Sequence, residues 1–454
     1  MNSNSTPKVR GQTVRCVFNT GYHVEGNIHY DANGGTGTMT DETSVNFAVA
    51  TAASNTFTKD YYLFSGWNTK ADGTGVVVSE GGLVSNAANV MEITEGETLT
   101  LYAIWRPNYI LAYDGNNADD GNMTTANTEG LGAGTKTLAA SNFARAGYGF
   151  AGWSLDSDAG SKLLSGQSVT VYGPNQTITI DNAFLANADQ TNRISMYAVW
   201  LPEDSNYTMQ TFGTGECSAM SSGSVIALKD IRDNNVYSVA KLEDGNCWMT
   251  ENLRLNPRTT AFSNSNTNSP TADFISNASS SDTNNTLCNT NDSGCIDSIS
   301  YNTNNINLSL PASIKDNNIN MSWYSYGVMY NWYTATAGNG DTGVTSGSVT
   351  ADICPTGWRL PTGGTGGEFA TLNTQANSGS TATDAGLRKF PDNFIYSGDY
   401  NNKKPGGRGS YGRYWSSTTN GANDAYRLGI VSSGATPLGS YGKWDAFAIR
   451  CIVK

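Results

Sequence analysis

At 454 residues the chain is too long for one ordinary domain, and length alone argues for roughly two to four. Charged residues make up only 15%, against about 25% in a typical globular protein, while glycine (50), tyrosine (23) and tryptophan (10) are abundant; this fits a turn-rich β protein and excludes helical bundles, coiled coils and disordered tracts. A net charge of −12 with no basic window excludes binding to a phosphate backbone, so no nucleic-acid partner is expected.

Only two histidines occur, His23 and His29, which removes Ser-His-Asp triads, Cys-His dyads and His-rich metal sites from the rest of the chain. No apolar run approaches the roughly 18 residues of a membrane span, so no transmembrane segment is expected. The first residues, MNSNSTPKVRGQ, hold no apolar stretch of a signal peptide. Seven cysteines are present, none in a CxxC pair, which argues against zinc ribbons and thioredoxin-like sites. Six of them (Cys217, Cys247, Cys288, Cys295, Cys354 and Cys451) form an even, widely spaced set in acidic, aromatic-rich sequence, which favours disulfides in an exported protein over buried thiols. A signal and an anchor are then expected outside this chain.

Along the chain the first feature is an internal repeat. HYDANGGTGTMT (29–40) corresponds to AYDGNNADDGNMT (112–124), YYLFSGWNT (61–69) to GYGFAGWSL (147–155), and LYAIW (101–105) to MYAVW (196–200). Two diverged copies of one small domain are therefore placed at 26–106 and 107–202. Asn33-Gly34-Gly35 reads as a tight turn needing positive φ, and SVTVYG (168–173) and TITI (177–180) read as strands alternating with period two. Trp67 and Trp153 could stack on a sugar, but a core role is the expectation. The junctions near Pro107 and Pro202 read as stiff links between modules that fold by themselves.

Each copy resembles the Listeria–Bacteroides repeat, the β-grasp-like module of bacterial surface proteins, through YDANGG (30–35), FSGWNT (64–69) and LYAIW (101–105); the second copy departs from it at YDGNNA (113–118) and GWSL (152–155). The resemblance implies a spacer or stalk with no chemistry of its own.

From Tyr207 the pattern changes. Asp233-Asn234-Asn235 reads as a hairpin turn before VYSVAKL, Cys247-Trp248-Met249 as the anchor of the next element, Trp358-Arg359-Leu360-Pro361 as a buried aromatic before a turn, and Glu368 to Leu372 as the start of one of few helices. Residues 256–320 are an Asn/Ser/Thr-rich stretch, read as an insertion loop. Together with SYGVMYNWYTA (325–335), CPTGWRLPT (354–362), YWSST (414–418) and FAIRCIVK (447–454), these motifs make 207–454 resemble the Fibrobacter succinogenes major paralogous domain, a C-type-lectin-like module of bacterial surface proteins. The fold class implied is mostly β and multidomain: two small β-grasp-like repeats and a C-terminal α+β C-type-lectin-like domain.

The lectin-like resemblance implies a Cys354–Cys451 disulfide closing the final sheet, contributing about 4–5 kcal/mol in the chain-entropy picture. Cys217 with Cys247 and Cys288 with Cys295 complete the set, although six cysteines allow about 15 connectivities. Cys16 is then odd. KVRGQTVRCVF (8–18) is similar to the chain's own ending, KWDAFAIRCIVK (443–454), so residues 1–25 read as the tail of an upstream lectin-like domain that would hold the partner of Cys16.

Decoys are set aside on local grounds. LPTGG (360–364) lacks the threonine of a sortase signal, and GGTGG (363–367) lacks the lysine and helix of a phosphate loop. Asp230, Asp233, Glu243, Asp244 and Glu251 could include a catalytic carboxylate pair, but carboxylates in polar turns are commoner, and no catalytic residue is assigned. The tripeptides with which C-type lectins hold calcium and sugar are missing; calcium could be held only through main-chain and carboxylate oxygens, so neither a cofactor nor a metal site is expected.

The last strands carry the candidate binding face. Tyr426, Leu428 and Ile430 alternate with Arg427, Gly429 and Val431, and the outer face continues through Ser433, Thr436, Leu438, Ser440, Tyr441 and Lys443. Tyr411, Arg413, Tyr414, Arg427, Tyr441 and Trp444 are the expected anchors. The region resembles the variable region of lectin-like proteins diversified by retroelements, where tyrosine, serine and glycine give rigid aromatic area beside adaptable hydrogen bonding. The expected function is that of an adhesin-like, non-enzymatic surface or extracellular protein with an unnamed protein or glycan ligand on another cell. The alternatives are an enzyme on a formylglycine-generating-enzyme-like fold, whose chemistry uses reactive cysteines, and a purely structural stalk.

Overall fold

The computed structural model describes residues 24–123, 130–131, 133–255, 298–299, 326–327, 329–336, 344–349, 352–401, 404–443 and 445–454. Cys16, Cys288, Cys295, Trp444 and all of the 256–320 insertion except 298–299 lie outside them. The protein is mostly β and multidomain, and the chain divides into two compact units, residues 1–109 and 110–454.

In the first unit, β1 (Glu25–Asp31), β2 (Glu42–Asn46), β3 (Tyr62–Asn68), β4 (Val77–Val78) and β5 (Thr98–Pro107) form one sheet in the order β2-β1-β5-β3-β4, with a short helix α1 (Ser85–Val90). The central β1–β5 pair is parallel, which requires the long crossover that carries β3 and α1. Alternation of buried and half-buried residues along β1 and β5 puts Ile28, Tyr30, Leu99, Leu101 and Ala103 on one side, around the fully buried Trp67. The expected Asn33-Gly34 turn is present, with φ of 48° and 79°. Asp31 accepts the Asn33 amide, and the Asn33 side chain donates to the carbonyls of Ala71 and Ala103.

The second unit begins with the second copy: β6 (Tyr109–Asp114), β7 (Gly130–Leu131), β8 (Gly134–Thr137), β9 (Tyr148–Ser154), α2 (Ala159–Leu164), β10 (Thr177–Ile180), α3 (Asn182–Leu185) and β11 (Arg193–Pro202). Its interior repeats the first copy bond for bond. Trp67 and Trp153 donate to the carbonyls of Ala53 and Ala139, each 4.8 Å from its tyrosine, Tyr30 or Tyr113. Trp105 and Trp200 donate to Ala32 and Gly115. Gly66 and Gly152 sit at matching bulges with φ of 130° and 142°, a region closed to other residues, which explains the shared Gly-Trp pair. Both tryptophans are 0% exposed, so their core role holds. TITI is β10, whereas SVTVYG is not a strand: only Tyr172 bridges, to Trp153, while Val169 and Val171 turn into a hydrophobic cluster.

That cluster joins the second copy to the hairpin of β12 (Val225–Lys229) and β13 (Val236–Lys241). Ala151, Ala159, Val199 and Leu201 of the copy pack with Ala227 and Val236 of the hairpin. Glu251 accepts from the amides of Phe150 (3.1 Å) and Ser238 (2.7 Å), and Arg388 donates to the Asn175 carbonyl. Instead of a stiff link at Pro202, the structure shows the second copy packed against the C-terminal strands, because its β9 and β11 carry apolar residues on the side away from its own tryptophan core.

The C-terminal region adds α4 (Thr214–Ala219), β14 (Cys247–Met249), β15 (Ser298–Ile299), β16 (Met329–Asn331), α5 (Trp332–Ala335), β17 (Trp358–Arg359), α6 (Glu368–Ala376), α7 (Ala385–Arg388), β18 (Asp399–Asn401), β19 (Lys404–Gly406), β20 (Tyr411–Asn420), β21 (Asp424–Val431), β22 (Gly434–Gly442), β23 (Ala446–Phe447) and β24 (Ile452–Val453). Three sheets result, β12-β13-β14-β24-β17, β15-β16-β23-β18-β19 and β20-β21-β22. The last strand, β24, is thus threaded between β14 and β17, and the Cys354–Cys451 disulfide lies beside it in the core. Cys217–Cys247 ties α4 to β14. The hairpin turn expected at 233–235 is formed, with Arg232 and Asp230 paired at 2.7 Å inside it.

Next to this disulfide, buried Asp352 accepts from the amides of Cys354 and Leu360, both at 3.0 Å. Burial pushes its carboxyl from 3.8 up to about 6 despite those bonds. A carboxyl that holds its proton more tightly when folded contributes stability fully present below the unfolded value and lost as pH rises through the folded one. The stability of the protein relative to Asp352→Asn should therefore fall by on the order of 2 kcal/mol between about pH 4 and pH 7. Urea unfolding across that range measures it, and a pH-independent difference would contradict the assignment.

Candidate functional site

β20, β21 and β22 form an antiparallel sheet in which Arg413 faces Gly429, Trp415 faces Arg427, Arg427 faces Gly439 and Ala425 faces Tyr441. The period of two sends Tyr414, Leu428 and Ile430 into a core shared with Trp248, Phe369 and Phe394. Arg413, Arg427 and Tyr441 meet on the opposite face. The Tyr441 ring lies edge-on to Phe447 at 5.6 Å; the Arg413 guanidinium is 4.3 Å and that of Arg427 5.5 Å from its centre.

The two arginines are held differently. Arg413 pairs with Asp399 of β18, which also accepts from the Tyr411 hydroxyl at 2.8 Å; burial and that carboxylate push Tyr411 up to about 12. Arg427 has a hydroxyl in place of a carboxylate, donating to Thr436 Oγ1 at 3.1 Å. Its guanidinium lies across Gly429 and Gly439: a Cβ at these positions would sit 1.7 Å from Arg427 Nη1 and 3.1 Å from its Cζ. A side chain at either position would displace the guanidinium from this place. Burial, and then the Arg413 charge, push Arg427 down to about 10.

Of the expected face, Arg413, Arg427, Thr436 and Tyr441 come together, with Tyr411 joined through Asp399 and Gly429 as floor. Val431, Ser433 and Leu438 are exposed, whereas Ser440, opposite Tyr426, is one residue out of step with Tyr441 and points to the other side. One anchor and one residue of the outer face are corrected. Tyr414 is 0% exposed and its hydroxyl bonds the Ile395 backbone, since it is one residue out of phase with Arg413. Lys443 is also buried: its ammonium donates to the carbonyls of Val344, Gly421 and Ala422 and lies 4.6 Å from the Trp332 ring, which makes it a fastener of loops. Trp444 lies outside the described residues. Asp399, Gly439 and Phe447 were not foreseen; only the fold brings them to the face.

Comparison with known proteins decides the N-terminal part. Residues 27–104 and 109–179 match the Listeria-Bacteroides repeat domain. The chain carries two Listeria-Bacteroides repeats. In the structure the second repeat extends past the matched stretch, since β11 (Arg193–Pro202) supplies the strand that β5 supplies in the first. Such repeats are typical of bacterial surface and extracellular proteins, with which the two disulfides agree. Among the described residues no helix is long and apolar enough to cross a membrane. No curated protein and no solved structure matches the chain.

Proposed function

We propose that this is a bacterial surface or extracellular protein whose C-terminal region, residues 207–454, is a lectin-like module that binds a protein or glycan through the outer face of β20–β22. The observation that carries the reading is the Tyr441 ring, backed by Phe447 and flanked by Arg413 and Arg427, on a sheet whose inner face is locked into the core. Aromatic and arginine side chains on a rigid support are the groups that dominate binding energies. The likeness to the Fibrobacter succinogenes major paralogous domain, carried by its motifs, supports the lectin-like reading. A binder is favoured over a formylglycine-generating-type enzyme because Cys354 and Cys451 are bonded to each other and buried, so neither offers a thiolate.

The test is a glycan and protein array probed with the full chain, followed by Tyr441→Ala on whatever ligand is found. That substitution should weaken binding by about 10-fold or more while the protein still unfolds cooperatively, its melt lowered only by the lost packing on Phe447. Unaltered affinity would remove this face from consideration.

A further inference from the structure

Four arginines buried in the C-terminal unit are held by carboxylates or carbonyls. Arg232 has Asp230, Arg254 has Glu251 and Arg388 has Asp384, while Arg450 donates to Asn252 and to the carbonyls of Met249, Asp392 and Asn393. Arg427 breaks the pattern. Its hydrogen bond goes to the Thr436 hydroxyl and not to a carboxylate or a carbonyl. The nearest carboxylate, Asp399, is committed to Arg413 and Tyr411. Two cations and one anion therefore share the face, and the surplus positive charge rests on a guanidinium pre-set by its two-glycine floor. A partly desolvated cation without a counter-charge is an unmet electrostatic demand that an incoming anion satisfies.

We infer that this face takes an acidic sugar, whose carboxylate meets the outer edge of the Arg427 guanidinium while its ring rests against the half-exposed Tyr441. The inference rests on the binding face proposed above and names its ligand class. One surplus charge on a chain of net charge −12 suits one anionic group on a neutral body; a peptide with a run of carboxylates would meet long-range repulsion. The groups around Arg427, the hydroxyl of Thr436 and the ring of Tyr441, suit the hydroxyl-rich, partly apolar faces of a sugar.

Glucuronate and glucose differ in this carboxylate, so NMR titration of the full chain with each, and with hexaglutamate, tests the inference. Glucuronate should give saturable shifts at Arg427 and Tyr441 and bind about 10-fold or more tighter than glucose. Arg427→Met should abolish that preference at an unchanged melting temperature. Asp399→Asn, which releases Arg413 from its counter-charge, should tighten glucuronate by roughly threefold, an outcome that a folding defect cannot imitate. Equal binding of both sugars at the Tyr441 face, or a preference that survives Arg427→Met, overturns the acidic class and leaves the binding face standing. Tighter binding of hexaglutamate overturns the sugar. Shifts confined to other surfaces, or none up to about 50 mM glucuronate, overturn the inference, and an array ligand that ignores Tyr441→Ala overturns the face itself.

Discussion

Glu251→Ala should destabilise the 110–454 unit by about 3–5 kcal/mol. The amides of Phe150 and Ser238 lose their acceptor at once, and the Arg254 guanidinium, 2.8 Å away, keeps the Val236 carbonyl but loses its counter-charge. Phe150 belongs to the second repeat, Ser238 to the β12–β13 hairpin and Arg254 to the segment after β14, so one carboxylate bonds both modules from a nearly dry position. Leaving a buried guanidinium without its counter-charge costs far more than the ion pair itself contributes. Glu251→Gln keeps one acceptor and should lose less. Chemical unfolding measures both, and the first unit, residues 1–109, serves as an internal reference whose transition should not move. A loss under about 1 kcal/mol would mean that the second repeat is merely tethered.

Replacing Cys354 and Cys451 together by alanine should cost about 4–5 kcal/mol. The bridge spans 97 residues and closes the loop that contains α6, α7 and the whole β18–β23 region, including the candidate face. Both sulfurs are buried in the main core beside Trp358 and Ile449, so cavity terms add to the lost loop constraint. Guanidinium unfolding under oxidising conditions should show a lower midpoint and an unchanged slope. A midpoint equal to that of the intact protein would contradict the part assigned to this disulfide.

What could be read in advance divides along physical lines. The repeats were legible because the same short motifs recur, and each motif residue keeps the same task in both copies. Asn33 and Asn116 turn the chain, Gly66 and Gly152 make the bulge, and Trp67 and Trp153 fill the core. Cys354–Cys451 and Cys217–Cys247 followed from the lectin-like resemblance, and the structure contains both. The candidate face was legible only as far as strand alternation reaches. It put Arg413, Arg427 and Tyr441 on one side of the sheet, where the structure has them, and misassigned Tyr414 and Ser440, each one residue out of phase. Lys443 misled because the carbonyls that bury its ammonium come from residues 344, 421 and 422, and no spacing rule connects them. Asp399 left no trace for the same reason: it reaches Arg413 from another sheet. A change of composition at residue 202 marks a change of module correctly, yet says nothing about whether the modules pack.

The central claim is that the chain binds its ligand through the β20–β22 face. Hydrogen–deuterium exchange of the full chain with and without the array-identified ligand tests it most directly. Protection should appear in residues 411–413 and 427–441 and leave residues 24–109 unchanged. Protection confined to the first repeat, with the exchange of 411–441 unaltered, would contradict it.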